Sequence, residues 1–157
     1  MRGVSIIGVG DTVFGEHWDK SFRELAIQAG LEALEECNLT ANEIDALYVG
    51  NMSAGSMISQ EHVGALIADY SGLARDHVPA VRIEAGSASG GMALAQGIMA
   101  VASGVLDFVM VGGVEKMTDV GDAKVEEILN EELDQEWESA FGATFAGMHA
   151  ILARMYM

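Results

Sequence analysis

In 157 residues the chain has one cysteine, Cys37, and one proline, Pro79. A single thiol forbids an internal disulfide, so nothing demands an oxidising compartment and a cytoplasmic location is expected. Basic residues are scarce too. Eight Lys and Arg stand against 24 Asp and Glu, a net charge of −16. A field of that sign repels nucleic acid and anionic lipid, so neither nucleic acid nor membrane is an expected partner. No Gly-Lys pair occurs, and the phosphate-loop pattern is therefore absent. His17, His62, His77 and His149 are scattered, none with a helical His partner, so no metal site and no resident cofactor is expected. The start, Met1-Arg2-Gly3-Val4, enters a run too short and polar-broken for a signal peptide.

Half of the residues are apolar and a fifth are charged, a composition that builds a core and excludes a disordered chain. Ala85 to Leu106 carries no charge and is long enough to cross a bilayer. Fourteen of those 22 residues are Gly, Ala or Ser, and Gln96 sits near the middle. Small side chains let backbones approach closely, which suits a helix buried within a protein.

Strand-like and helix-like stretches alternate along the chain. Val4 to Gly10 reads as a buried strand ending in glycine. Ser21-Phe22-Arg23-Glu24 has capping-box spacing, and Phe22, Leu25, Ala26, Ala29 and Ala33 share one face of the helix that follows. Thr40-Ala41-Asn42-Glu43 repeats the capping signature. Asp45–Gly50 is a second strand, Asn51–Ser59 a Gly/Ser/Met loop, and Glu61–Tyr70 a helix with Val63, Leu66 and Ile67 on its apolar side. Ala80–Glu84 and Asp107–Gly113 are further strands, flanking the uncharged helix that runs to about Ser103. This alternation predicts an α/β fold with an open, mostly parallel sheet and helices on both faces.

The character changes after residue 118. Asp122, Glu126, Glu127, Glu131, Glu132, Asp134, Glu136 and Glu138 crowd a segment with one lysine, and a run of this kind reads as a solvated face. The expected division is an α/β core over residues 1–118 and, over 119–157, the start of an acidic, Met-rich loop region lying over the active site. The last residues, Ile151 to Met157, break off in mid-pattern with no capping signal, so the fold is expected to be incomplete.

Two side chains come into question as nucleophiles. Cys37 ends an amphipathic helix, at the negative end of the helix dipole, and is a poor candidate. Ser87 sits between a strand end and a helix start, where backbone N–H groups and the dipole favour an anion. The hydrolase elbow wants glycine two residues before and after the serine, and here those positions are Ala85 and Ser89. Spacing alone leaves Ser87 open between a nucleophile and a small residue for tight packing.

Longer motifs carry a resemblance. Arg82-Ile83-Glu84-Ala85-Gly86-Ser87-Ala88-Ser89-Gly90-Gly91-Met92-Ala93-Leu94-Ala95-Gln96-Gly97 resembles the segment around the reactive cysteine of thiolases, above all the archaeal and sterol-carrier-protein types. Val109-Met110-Val111-Gly112-Gly113-Val114-Glu115-Lys116-Met117-Thr118-Asp119 is similar to the second family signature. Gly50-Asn51-Met52 and Phe145-Ala146-Gly147-Met148 fall where the family has theirs. The resemblance implies an acetyl-CoA C-acyltransferase with acyl-CoA as substrate, and it spans roughly the first two fifths of a typical member. It implies the N-terminal half of a thiolase-like layered sandwich, whose central helix is the one after Ser87. It further implies Phe145 and Met148 as substrate-binding residues and an oligomer joined through the strand Val81–Glu84, or a chain that supplies the missing half.

Two departures from the family bear on activity. Ser87 stands where the family has its nucleophilic cysteine, and an alcohol needs a dedicated base to attack a thioester. The family's histidine and second cysteine belong to the half that is absent. The expectation is an acyl-CoA C-acyltransferase half, inactive as it stands. The alternatives are a non-catalytic thiolase-like scaffold subunit and a cysteine-independent subunit of an acyl-CoA aldolase.

Overall fold

The structure, a computed structural model, describes residues 2–157. Three parallel strands form its sheet in the order β2-β1-β3, with β1 at Ala46–Gly50, β2 at Ala80–Ile83 and β3 at Val109–Gly113. Leu47 pairs with Ala80 on one side and with Met110 on the other, so β1 is the central strand. Parallel neighbours need crossovers, and helices supply them. Helix α3 (Val63–Ser71) links β1 to β2, and α4 (Ser89–Ser103) links β2 to β3.

One face of the sheet carries the apolar core. Leu47 and Val49 of β1 meet Phe22 of α1 (Phe22–Cys37) and Val63, Ile67 and Ala68 of α3. Burying each of the larger of these side chains contributes about 1.5–3 kcal/mol. The capping box expected at Ser21 forms: the Ser21 hydroxyl accepts from the Glu24 N–H, and the Glu24 carboxylate accepts from the Ser21 N–H at 2.7 Å. The Ser21 hydroxyl, donating to the carboxylate at 2.6 Å, and after it the Ser21 N–H hold the Glu24 carboxyl below its ordinary value. The box at Thr40 starts only a single turn of 3-10 helix, Ala41–Glu43.

The opposite face of the sheet receives α4. Side chains alternate along a strand, so Tyr48 and Gly50 face α4 while Leu47 and Val49 face the core. The helix turns its smallest residues inward: Ser89, Ala93 and Gly97, spaced four apart, are buried, while Met92, Leu94, Ile98 and Met99 are exposed. A Cβ on Gly50 would lie 2.7 Å from the Gly90 Cα and from the Gly90 nitrogen, and one on Gly97 would lie 2.6 Å from a Val111 methyl. The uncharged helix is thus packed on one side and open on the other.

Two expectations are corrected. Val4–Gly10 forms no strand, and Ile6, Ile7 and Val9 are more than half exposed. A strand exists through a neighbour's N–H and C=O groups. This segment lies along α1 instead, with the N–H groups of Val9 and Asp11 donating to the carboxylates of Glu36 and Glu32. The loop at 51–59 holds a short helix, α2 (Ala54–Ile58), whose first N–H is taken by the Asn51 side-chain oxygen at 3.3 Å. The acidic region contains α5 (Asp122–Leu129) and, further on, α6 (Phe145–Tyr156).

At the strand starts, Asp45 binds β3 to β1. Its carboxylate accepts from the N–H groups of Phe108 at 2.9 Å and Asp107 at 2.7 Å. The Phe108 bond first and the Asp107 bond second hold the Asp45 carboxyl below its ordinary value of 3.8.

The close approach at Gly50 has a measurable consequence. Gly50→Ala forces backbone against backbone, and the expected loss is about 2 kcal/mol or more. For a chain of this size the melting temperature then falls by about 4 °C or more. Gly112→Ala, on β3 with open space where its Cβ would go, is the control and changes little. A thermal melt in which the two variants coincide overturns this account of the packing.

Candidate functional site

Parallel sheets place their chemistry beyond the carboxyl ends of the strands, and a knot of hydrogen bonds organises that end here. Asn51, following β1 and almost fully buried, donates to the Val114 carbonyl at 2.9 Å and to the Glu115 carboxylate at 3.0 Å. The same carboxylate accepts from the N–H groups of Met52 and Ser53, each at 3.1 Å. Arg82 of β2 donates from Nε to the Asn51 carbonyl at 3.1 Å, donates to the Met52 carbonyl, and pairs with Glu61. All three strand ends are tied through one buried amide and one carboxylate. Lys116, also buried, is neutralised by an ion pair with Asp119.

Ser87 lies on the turn that leaves β2 for α4. Ser89 fixes this turn from inside: its hydroxyl donates to the Gly86 carbonyl at 2.6 Å and accepts from the Ala85 N–H at 2.9 Å. The N–H groups of Ala88 and Ser89 close onto the carbonyls of Ala85 and Gly86 at 3.0 and 3.1 Å. Gly86 takes φ of +55°, a left-handed value that favours glycine. The result presents Ser87 outward at the start of α4, beside a depression of about 540 Å3 lined by Met52, Glu84, Ala85, Gly86, Glu131 and Glu132.

The acidic run does not behave as a solvated face throughout. A half-buried Glu132 accepts a hydrogen bond from the Ser87 hydroxyl at 2.6 Å, across 45 residues of sequence. Glu131 accepts from Ser56 at 3.2 Å, and Glu84 accepts from the Gly86 N–H. All three carboxylates line the depression, and Glu132 alone of them bonds the serine. Sequence reasoning missed Ser89 and Glu132. The first carries no pattern beyond a small residue, and the second is one acid among many.

The remaining expected site residues lie elsewhere. Phe145 and Met148 are half-buried on α6, and neither lines the depression beside Ser87. The Phe145 N–H donates to the Asn130 side chain at 2.7 Å, and its ring stacks obliquely on His149 with centroids 4.3 Å apart. Cys37 is half-buried, its thiol donating to the Ala33 carbonyl at 3.2 Å. A second groove, about 680 Å3, runs along α1 to Tyr70 and is lined by no serine, cysteine or histidine. Among the described residues, no group of three or more His, Cys, Asp or Glu side chains is arranged to hold a metal ion, and no helix is long and apolar enough to cross a membrane.

The thiolase N-terminal domain model matches residues 4–151, nearly the whole chain. The chain belongs to the thiolase family. Across all 157 residues it is 51% identical to an acetyl-CoA acetyltransferase of Methanocaldococcus jannaschii, covering 39% of that protein. It is 52% identical to an acetyl-CoA acetyltransferase of Methanothermobacter thermautotrophicus, covering 40%. The chain thus spans about two fifths of the length of these relatives and is a partial thiolase. Among solved structures, a Ltp2-ChsH2 aldolase shares the fold, with a TM-score of 0.61 over 97% of this chain and 37% of that one, at 24% identity. The α/β architecture expected from the alternating pattern is therefore that of a thiolase N-terminal part.

Exposure predicts how position 87 will react. A thiol introduced by Ser87→Cys, on an outward turn at a helix start, should be alkylated by iodoacetamide at least about tenfold faster than Cys37 at its helix end. Equal labelling of the two, read by peptide mass spectrometry, would mean that the turn does not present residue 87 as described.

Proposed function

We propose that this chain is the acyl-carrying half of an acyl-CoA C-acyltransferase. Its site would serve carbon–carbon bond formation or thiolysis of the acetyl-CoA/acetoacetyl-CoA type, with Ser87 in the acyl-carrying position. The support is one conjunction: identity above 50% along the whole chain to two acetyl-CoA acetyltransferases, and Ser87 on the exposed turn between β2 and α4. In this reading the oxygen of Ser87 attacks the thioester carbonyl. The negative charge that develops on that carbonyl is favoured near the start of α4, where the first-turn N–H groups of a helix lack partners within it. An oxygen nucleophile makes the step slow, because an alcohol ionises far less readily than a thiol.

Joining this chain to the remaining part of the Methanocaldococcus jannaschii relative gives a protein of full family length that tests the reading. In that chimera Ser87→Cys should raise acetoacetyl-CoA cleavage by roughly 100-fold or more over the serine parent. A chimera that melts cooperatively, carries the cysteine and shows no cleavage would sink the acyl-transfer reading in favour of a scaffold role.

The reading includes association. β2 is an edge strand with unpaired N–H and C=O groups along its outer side, and Val81 is exposed on it. The open side of α4 adds Met92, Leu94, Ile98 and Met99 to the uncovered apolar surface. The chain alone should therefore sediment as a dimer or larger species, joined along β2. A sharp, concentration-independent monomer that unfolds cooperatively is the contrary result.

A further inference from the structure

We propose that Glu132 is the general base that takes the Ser87 proton as the serine oxygen attacks a thioester. The proposal rests on the acyl-carrying role given to Ser87 above and supplies what an alcohol lacks there. Its geometry is already that of proton transfer, with the hydroxyl donating to the Glu132 carboxylate at 2.6 Å. The carboxylate is seated rather than free. A Cβ on Gly86 would lie 3.0 Å from Glu132 Oε2 and 3.1 Å from its carboxyl carbon, so the bare backbone of Gly86 makes the room that Glu132 fills. The segment bearing Glu132 is pinned on both sides. Asn130 is held through its side chain by the Phe145 N–H at 2.7 Å, and the Gln135 amide donates to the carbonyls of Asn130 and Leu133, each at 2.9 Å.

Of the carboxylates around the serine, Glu132 is the one that accepts from it. Glu131 accepts from the Ser56 hydroxyl and Glu84 from the Gly86 N–H. The pairing also matches the residue at position 87. A hydroxyl ionises far less readily than a thiol and so depends more on an acceptor for its proton.

The step balances without any further reagent. The Oγ–C bond forms as the Oγ–H proton passes to Glu132, and the carbonyl electron pair moves onto its oxygen. When the carbonyl re-forms, the C–S bond breaks. The sulfur leaves with the bonding pair and takes the proton from Glu132. The products are an acyl ester on Ser87, a free thiol and the original carboxylate.

The test uses S-acetyl-N-acetylcysteamine, a thioester that needs no nucleotide-binding surface, and follows acetyl transfer to the Ser87 peptide by mass spectrometry. The 157-residue chain is compared with E132Q, E132D, S87C and the S87C/E132Q double variant, each first shown to melt as the parent does. E132Q should slow acetylation of Ser87 by roughly 100-fold or more, and E132D should recover part of it. In the cysteine background E132Q should bring no slowing. Equal acetylation of Ser87 with and without Glu132 overturns the proposal, as does equal slowing of serine and cysteine, the mark of a structural role. Acetylation of S87C with none of Ser87 also overturns it and confines the acyl-carrying role to a cysteine at position 87. No acetylation of either removes both.

Discussion

The distance between α4 and the sheet governs everything built at the strand ends. Where Gly50 meets Gly90 the backbones of β1 and α4 are in contact, and no side chain fits between them. That contact fixes where α4 begins, and the beginning of α4 fixes the turn that carries Ser87. The small residues at four-residue spacing, Ser89, Ala93 and Gly97, extend the same constraint along the helix. A larger residue at any of them would lift the helix and tilt the turn. The composition of the uncharged segment is thus a packing requirement of one face. Its other face, with Met92, Leu94, Ile98 and Met99, obeys a different requirement that the sheet does not impose.

The strand-end knot provides the second layer of rigidity. Asn51 and Glu115 follow neighbouring strands, and Arg82 adds the third by donating to the carbonyls of Asn51 and Met52. Buried polar groups of this kind are costly when unpaired and stabilising when each finds its partner. Here the Glu115 carboxylate gathers two backbone N–H groups and one amide, so the loop after β1 is held from the end of β3. Such a loop can line a site without moving relative to Ser87.

How much of this was legible depended on the range of the interaction. Elements held by local rules read correctly: the capping box at Ser21, the α3 face with Val63 and Ile67, and the helix from Ser89 to Ser103. Val4–Gly10 failed because an apolar run ending in glycine describes a segment's fitness for a sheet, whereas strand formation needs a neighbour. In this chain the segment finds the carboxylates of α1 instead. Phe145 and Met148 came from motif position alone, and the structure places them on α6, off the lining of the depression. Asn51 and Glu115 lay inside matched motifs, yet nothing local announced that they bond each other across 64 residues.

Glu132 shows the same limit at its sharpest, and it bears on the chemistry. In a segment with so many acids, each carboxylate looks alike, and the average member of such a run does face solvent. What distinguishes Glu132 is a partner 45 residues away and a glycine that leaves space for it. The substitution that made Ser87 look like a loss acquires a different meaning beside that partner. A hydroxyl holds its proton far more tightly than a thiol, so a carboxylate at hydrogen-bond distance matters more to a serine at this position than it would to a cysteine. The turn before α4 and the path of the acidic segment therefore meet in one hydrogen bond, and the position of each depends on the other.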